Sequence, residues 1–311
     1  MITLTGKRVS EGIVIGRLVF FNRGEREIRK IYVEDAEKEL VRFQKARKRA
    51  ASELQELYDE SAGELGEANA MIFEMQQMVL EDEEFINPVI RTITEQKLNA
   101  EYAVKVSIEN FLKVFSSRAE SYVRGHEADI HDVAARVLRI LSRSRKDRMF
   151  MDEPFIMAAR DLYPSEAVRL DKSKVLGFVT MYGSINSHTA VLARTKGIPS
   201  VIGIGEALKK DYEGKMVIID GFDGKLYIEP DQTTMEKMKE KKKQNLQKVE
   251  TLERLKGKEN ITQSGQKIDV CANIGNREDI EKVLRNDANG IGLFRSEFLY
   301  MESGGRMPTE E

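Results

Sequence analysis

Residues 183–203, GSINSHTAVLARTKGIPSVIG, read as a loop, the start of a helix and a short strand. Asn186 and Ser187 are side chains that accept hydrogen bonds from the open N–H groups of a helix start. His188, one of three histidines in 311 residues, therefore falls in the first turn, beside unpaired backbone N–H groups and the positive end of the helix dipole. A lone histidine at a helix start is most often a satisfied polar residue. This position offers more, because the positive helix end favours the uncharged ring, whose free nitrogen lone pair is a nucleophile. The same end welcomes an anion. A phosphoryl group on His188 would be stabilised by the N–H donors and dipole that favour its acceptor, and the hydroxyls of Ser187 and Thr189 would add donors.

Outward from this stretch the chain is written in short strands. PFIMAA (154–159), VLGFVT (175–180), PSVIG (199–203), MVIID (216–220) and KLYIE (225–229) are apolar runs separated by Gly, Pro and Asp. GIVIGRLVFF (12–21) has the same character near the N-terminus. Between them the period changes. Ala36, Leu40, Phe43, Ala46, Ala50, Leu54 and Leu57 recur at three- and four-residue steps, the mark of one face of a long helix. Helices are also expected over 67–82, after Asn87-Pro88, over 100–116 and over 128–142, where Ile130, Val133, Val137 and Leu141 are in register.

The fold class predicted is an α/β body over 1–30 and 146–230, with an all-α bundle inserted over 31–145. A charged connector helix is expected over 231–260. KIDVCANIG and GIGLFRSEF then resemble two parallel strands of a domain over 261–311, expected to be the truncated start of a (β/α)8 barrel.

Charge and composition exclude several function classes. Lys plus Arg total 50 against 52 Asp plus Glu, so no global field attracts nucleic acid or an anionic membrane. A single cysteine excludes a disulfide framework and, with three scattered histidines, argues against a Cys/His zinc site. No apolar run has the length of a membrane span, and the N-terminus lacks the unbroken apolar core of a signal peptide. A cytoplasmic protein without membrane insertion is expected.

SHTAVLAR followed by GIPSVIG resembles the phosphohistidine segment of enzyme I, the phosphoenolpyruvate-protein phosphotransferase family of the bacterial sugar phosphotransferase system. MVLEDEEF (78–85), DLYPSEAVRL (161–170), VCANIG (270–275) and GIGLFRSEFLYM (290–301) are similar to that family in the same order. The resemblance implies that His188 takes a phosphoryl group from phosphoenolpyruvate at Nε2 and passes it to a histidine of the phosphocarrier protein HPr. It implies that Arg295 contacts the phosphate of phosphoenolpyruvate. Glu67, Met78, Glu83, Glu84 and Phe85 would form the HPr-binding face, apolar groups meeting a nonpolar patch and acids its basic rim. The family's magnesium ligands, its other substrate arginines and its dimerising surface are expected beyond Glu311. This chain would then be the phosphocarrier half, exchanging phosphate with HPr without phosphorylating itself from phosphoenolpyruvate.

Several positions depart from the family pattern. Gly183, Ser184, Ile185 and Asn186 lead into Ser-His where two glycines and a threonine are common, Ala167 replaces a threonine, and His126 and His131 stand where arginines are frequent. Two other readings remain open from the residues. One is the swivelling phosphohistidine domain of a pyruvate phosphate dikinase or phosphoenolpyruvate synthase, and the other is a non-enzymatic adaptor that binds a partner through its bundle.

Overall fold

The computed structural model describes residues 1–21, 27–118, 127–142, 153–275 and 279–296. Strands β1 (Ile2–Thr5), β2 (Lys7–Ser10) and β3 (Ile13–Phe20) precede a helical excursion, and β4 (Phe155–Ala159), β5 (Val175–Thr180), β6 (Ser200–Ile202), β7 (Met216–Asp220) and β8 (Lys225–Ile228) follow it. They form one mixed sheet in the order β1-β8-β7-β3-β4-β5-β6-β2. From β3 through β4 and β5 to β6 the pairing is parallel, and the remaining pairs are antiparallel. β1 and β2 lie at opposite ends of this order, yet only Gly6 separates them, so the sheet curls until its two ends meet. A side chain does not fit that corner, because a Cβ on Gly6 would sit 2.6 Å from the Ile202 carbonyl oxygen.

The apolar runs are central strands because both of their faces are covered. Every residue of β4 is buried. Phe155 and Met157 point to one side and Ile156 and Ala158 to the other, as a period of two requires. The second side packs on Val201, Val217 and Leu226 inside the curled sheet. The first side belongs to the same hydrophobic cluster as Phe43, Leu54, Phe85 and Val133 of the helices. Sheet and helices therefore share a core.

The helices are α1 (Ala36–Leu65), α2 (Glu67–Glu81), α3 (Glu83–Thr94), α4 (Ala100–Arg118) and α5 (Glu127–Leu141). Asp35 caps α1 by accepting from Lys38 N at 2.9 Å, and the expected stripe from Phe43 to Leu57 is its buried face. Gly66, with φ of 88°, breaks the chain between α1 and α2. The break expected at Asn87-Pro88 does not occur. α3 starts earlier, on an Asp82 cap, and runs through Pro88. The proline removes one helical hydrogen bond near the start, while buried Phe85, Val89 and Ile93 hold the helix to the core.

The short α6 (Pro164–Val168) lies between β4 and β5, and α7 (His188–Lys196) lies between β5 and β6. The connector α8 (Gln232–Glu253) buries only Met238. Its Lys241 Nζ lies 2.7 Å from Asp220 Oδ2 and 2.9 Å from Asp223 Oδ2.

The chain divides into two compact units, Met1–Lys242 and Lys243–Glu311. In the second, β9 (Cys271–Ile274) and β10 (Gly290–Phe294) pair in parallel, with α9 (Asp279–Arg285) between them in sequence. Among the described residues no helix is long and apolar enough to cross a membrane.

Candidate functional site

α7 begins at His188 because Ser187 is extended (φ −67°, ψ 152°) and its hydroxyl accepts from Ala190 N at 3.2 Å. It ends at Gly197, whose left-handed φ of 62° closes the last turn. The loop before it is tied down as well. Ser187 Oγ donates to Ser184 O at 2.8 Å, and Arg194 Nη1 donates to Ile185 O at 3.0 Å. Thr189 Oγ1 donates to Leu162 O at 2.7 Å, fastening the first turn to the segment that leads into α6.

These bonds correct one expectation. The hydroxyl hydrogens of Ser187 and Thr189 are engaged with backbone carbonyls, so they build the loop rather than face a phosphoryl group. What meets His188 comes from the bundle. Asp129 Oδ2, on the first turn of α5, lies 2.9 Å from His188 Nδ1. Asp129 is buried, with an 8% exposed side chain, while the imidazole is 29% exposed. A carboxylate accepts and does not donate, so Nδ1 carries the hydrogen and, in the neutral ring, Nε2 keeps its lone pair. The pair is thus an oriented imidazole whose lone-pair nitrogen is the one away from the carboxylate.

Sequence reasoning missed Asp129. It lies 59 residues from His188, within HEADIHD, and no short-range pattern links the two. His131 is exposed on α5 and His126 lies outside the described residues. Ala167 is buried in α6, its methyl group part of the shared core.

The expected partner-facing residues divide. Glu67 at the start of α2 and Glu83 and Glu84 in the first turn of α3 are exposed, and Met78 is 67% exposed. Phe85 is not on this face. It is completely buried and helps fill the shared core, because it lies one turn before Val89 on the inward stripe of α3. Two further methionines lie on the surface of α2, Met71 at 45% and Met75 at 41% exposed. With Met78 they follow helical i, i+4, i+7 spacing, a signal present in MIFEMQQM. Beside this ridge runs a groove of about 390 Å³, lined by Met75, Gln76, Met78, Phe111, Asp129 and Ile130 among others. Asp129 therefore belongs both to the groove and to the pair with His188.

Arg295 belongs to the second unit. It follows β10, its side chain is exposed, and its backbone N–H donates to Ile274 O at 2.9 Å. Among the described residues no three His, Cys, Asp or Glu side chains cluster as metal ligands.

Comparison with known proteins identifies the class. Residues 5–125 match the N-terminal family of PEP-utilising enzymes, 151–224 their mobile domain and 249–311 their PEP-binding domain. Phosphoenolpyruvate-protein phosphotransferases of Priestia megaterium and Listeria innocua are 33% and 34% identical over 99% of this chain. The chain spans about half the length of these relatives, 54% in each case. A solution structure of enzyme I is 32% identical with a TM-score of 0.61, covering 78% of this chain and 99% of its own. The N-terminal domain of a nitrogen enzyme I, 22% identical with a TM-score of 0.51, shares the fold. By class this is a PEP-utilising enzyme chain. It belongs to the enzyme I family, the phosphoenolpyruvate-protein phosphotransferases.

Proposed function

We propose that this chain carries a phosphoryl group on His188 Nε2, between phosphoenolpyruvate and HPr, in cytoplasmic sugar uptake. The observation that carries the reading is the His188–Asp129 pair, in which Asp129 orients the ring and itself lines a groove rimmed by methionines and acids. Transfer from phospho-HPr forms a bond from the Nε2 lone pair to phosphorus, while the donor's P–N bond breaks and its electron pair returns to the donor ring. The hydrogen on Nδ1 stays between the ring and Asp129, whose charge steadies the ring as positive character develops. HPr would seat on Met71, Met75 and Met78, with Glu67, Glu83 and Glu84 meeting a basic rim.

The second unit we read as the opening of a (β/α)8 barrel, in which Arg295 would hold the phosphate of phosphoenolpyruvate through its planar fork of donors. Magnesium, when bound in the whole enzyme, would neutralise charge on that substrate. Bundle and sheet are proposed as separate domains, over 31–145 and over 1–30 with 146–230, and the whole enzyme as a dimer through its barrel.

Labelled phospho-HPr tests the reading. The chain should acquire acid-labile label that His188→Ala abolishes without loss of fold. Label retained in that variant, or found on His126 or His131, would overturn it.

A further inference from the structure

We propose that Asp132 is a positioning residue for His188, the point at which the bundle grips the α/β body so that Asp129 meets the imidazole. The proposal rests on the reading of His188 as phosphoryl carrier. Asp129 and Asp132 stand one turn apart on α5, both buried, at 6% and 3% exposure. Asp129 reaches α7 through His188. Asp132 reaches α6 with both oxygens: Oδ1 accepts from Ser165 Oγ at 2.7 Å and Oδ2 from Ser165 N at 2.9 Å. That backbone N–H is one of the first donors of α6, left without a helical partner of its own. The segment leading into α6 supplies Leu162 O, which accepts from Thr189 next to His188. A continuous path of hydrogen bonds and short backbone steps thus runs from Asp132 to the first turn of α7.

The other side of Asp132 is equally committed. Gln76 Nε2 of α2 donates to Asp132 Oδ2 at 3.3 Å and to Asp129 O at 3.2 Å. Arg136 Nη2 lies 4.0 Å from Asp132, and Arg136 Nη1 is 3.1 Å from Glu53 of α1, which also pairs with Arg139. Buried charges of this kind are poor sources of net stability compared with apolar groups of the same shape. Directional bonds do something an apolar contact cannot, which is to specify where one element lies against another. Here they set α6 against α5 and, one helical turn away, leave Asp129 2.9 Å from the ring. Misplacement by about 1 Å can cost about 100-fold in a positioned reaction.

The test uses Asp132→Asn and Ser165→Ala in the full chain, with two readouts. One is the rate of phosphoryl transfer from labelled phospho-HPr at saturation, and the other is the imidazole ¹⁵N shifts of His188, which report the Nδ1–H tautomer. Asp132→Asn should move those shifts away from the parent's and slow transfer about 10- to 100-fold, with half-saturation changed less than about twofold because the exposed Met71, Met75, Met78, Glu83 and Glu84 proposed to seat HPr are unchanged. Ser165→Ala keeps its backbone bond and should show the same changes on a smaller scale. It decides the matter if Asp132→Asn does not fold. Parental His188 shifts in a folded Asp132→Asn, or in Ser165→Ala where that is the only folded variant, overturn the proposal. Shifts that move in a chain that accepts no phosphate from HPr would sustain the positioning role and defeat the carrier reading.

Discussion

The bundle and the α/β body bury different things. The central strands β4 and β7 bury mostly apolar side chains, with Asp220 at the end of β7 the buried exception, neutralised by Lys241. The bundle buries Glu39, Glu53, Asp129, Asp132 and Arg136. Of these, Asp129 and Asp132 bond directly to α7 and α6 across the shared core. One body supplies, from local backbone geometry, the histidine proposed as nucleophile. The other supplies charge, and accepts the desolvation cost of holding it buried where the first body needs it.

The sharpest way to break that contrast is Phe85→Ala. If Phe85 is core rather than surface, the variant loses about 3–5 kcal/mol of stability, read by denaturant unfolding. Unchanged stability with weakened HPr binding would return Phe85 to the partner face. Asp129→Asn comes next. The amide is nearly the same shape but can donate to Nδ1, favouring the wrong tautomer, so transfer to and from HPr should slow about 100-fold with the fold intact. A parental rate would mean that the bundle's charge does nothing for the nucleophile.

Glu83→Lys with Glu84→Lys should slow association with HPr about tenfold at low salt and flatten its salt dependence, since these exposed acids act by steering. Unchanged kinetics would leave docking to the methionine ridge alone. The smallest effect concerns an ion pair inside the bundle. Burial alone pushes the Glu101 carboxyl up, but the hydrogen bonds and charge of Arg42 win and hold it below its ordinary 4.5. A carboxyl lowered by folding stabilises above its unfolded value, and that contribution fades as pH falls through the folded value. The parent should therefore exceed Glu101→Gln by no more than about 1 kcal/mol near neutrality, with the gap closing as pH falls below 4.5. A gap that widens in acid would reverse the assignment.

What was legible follows the range of the interaction. The Ser187 cap, the α1 stripe from Phe43 to Leu57 and the apolar strands announce themselves through nearest neighbours and short periods, as do the helices expected over 67–82 and 128–142, which run over Glu67–Glu81 and Glu127–Leu141. The methionine ridge was equally legible, since Met71, Met75 and Met78 are spaced by helical turns. Pro88 misled because its cost to a helix is local, whereas the burial of Phe85, Val89 and Ile93 that outweighs it is tertiary.

By itself, then, the sequence determined that a histidine opens a helix within an α/β pattern interrupted by a helical stretch, and that no overall charge draws this chain to nucleic acid. Those properties reside in backbone conformation and composition, which act over a few residues. Only the tertiary structure decided that the sheet closes through Gly6, that Phe85 is inside, that the hydroxyls beside His188 are spent on the backbone, and that Asp129 holds the ring. Hydrogen bonds and close packing act over a few ångströms of space, and residues 59 apart in the chain acquire that proximity only when two bodies share one core.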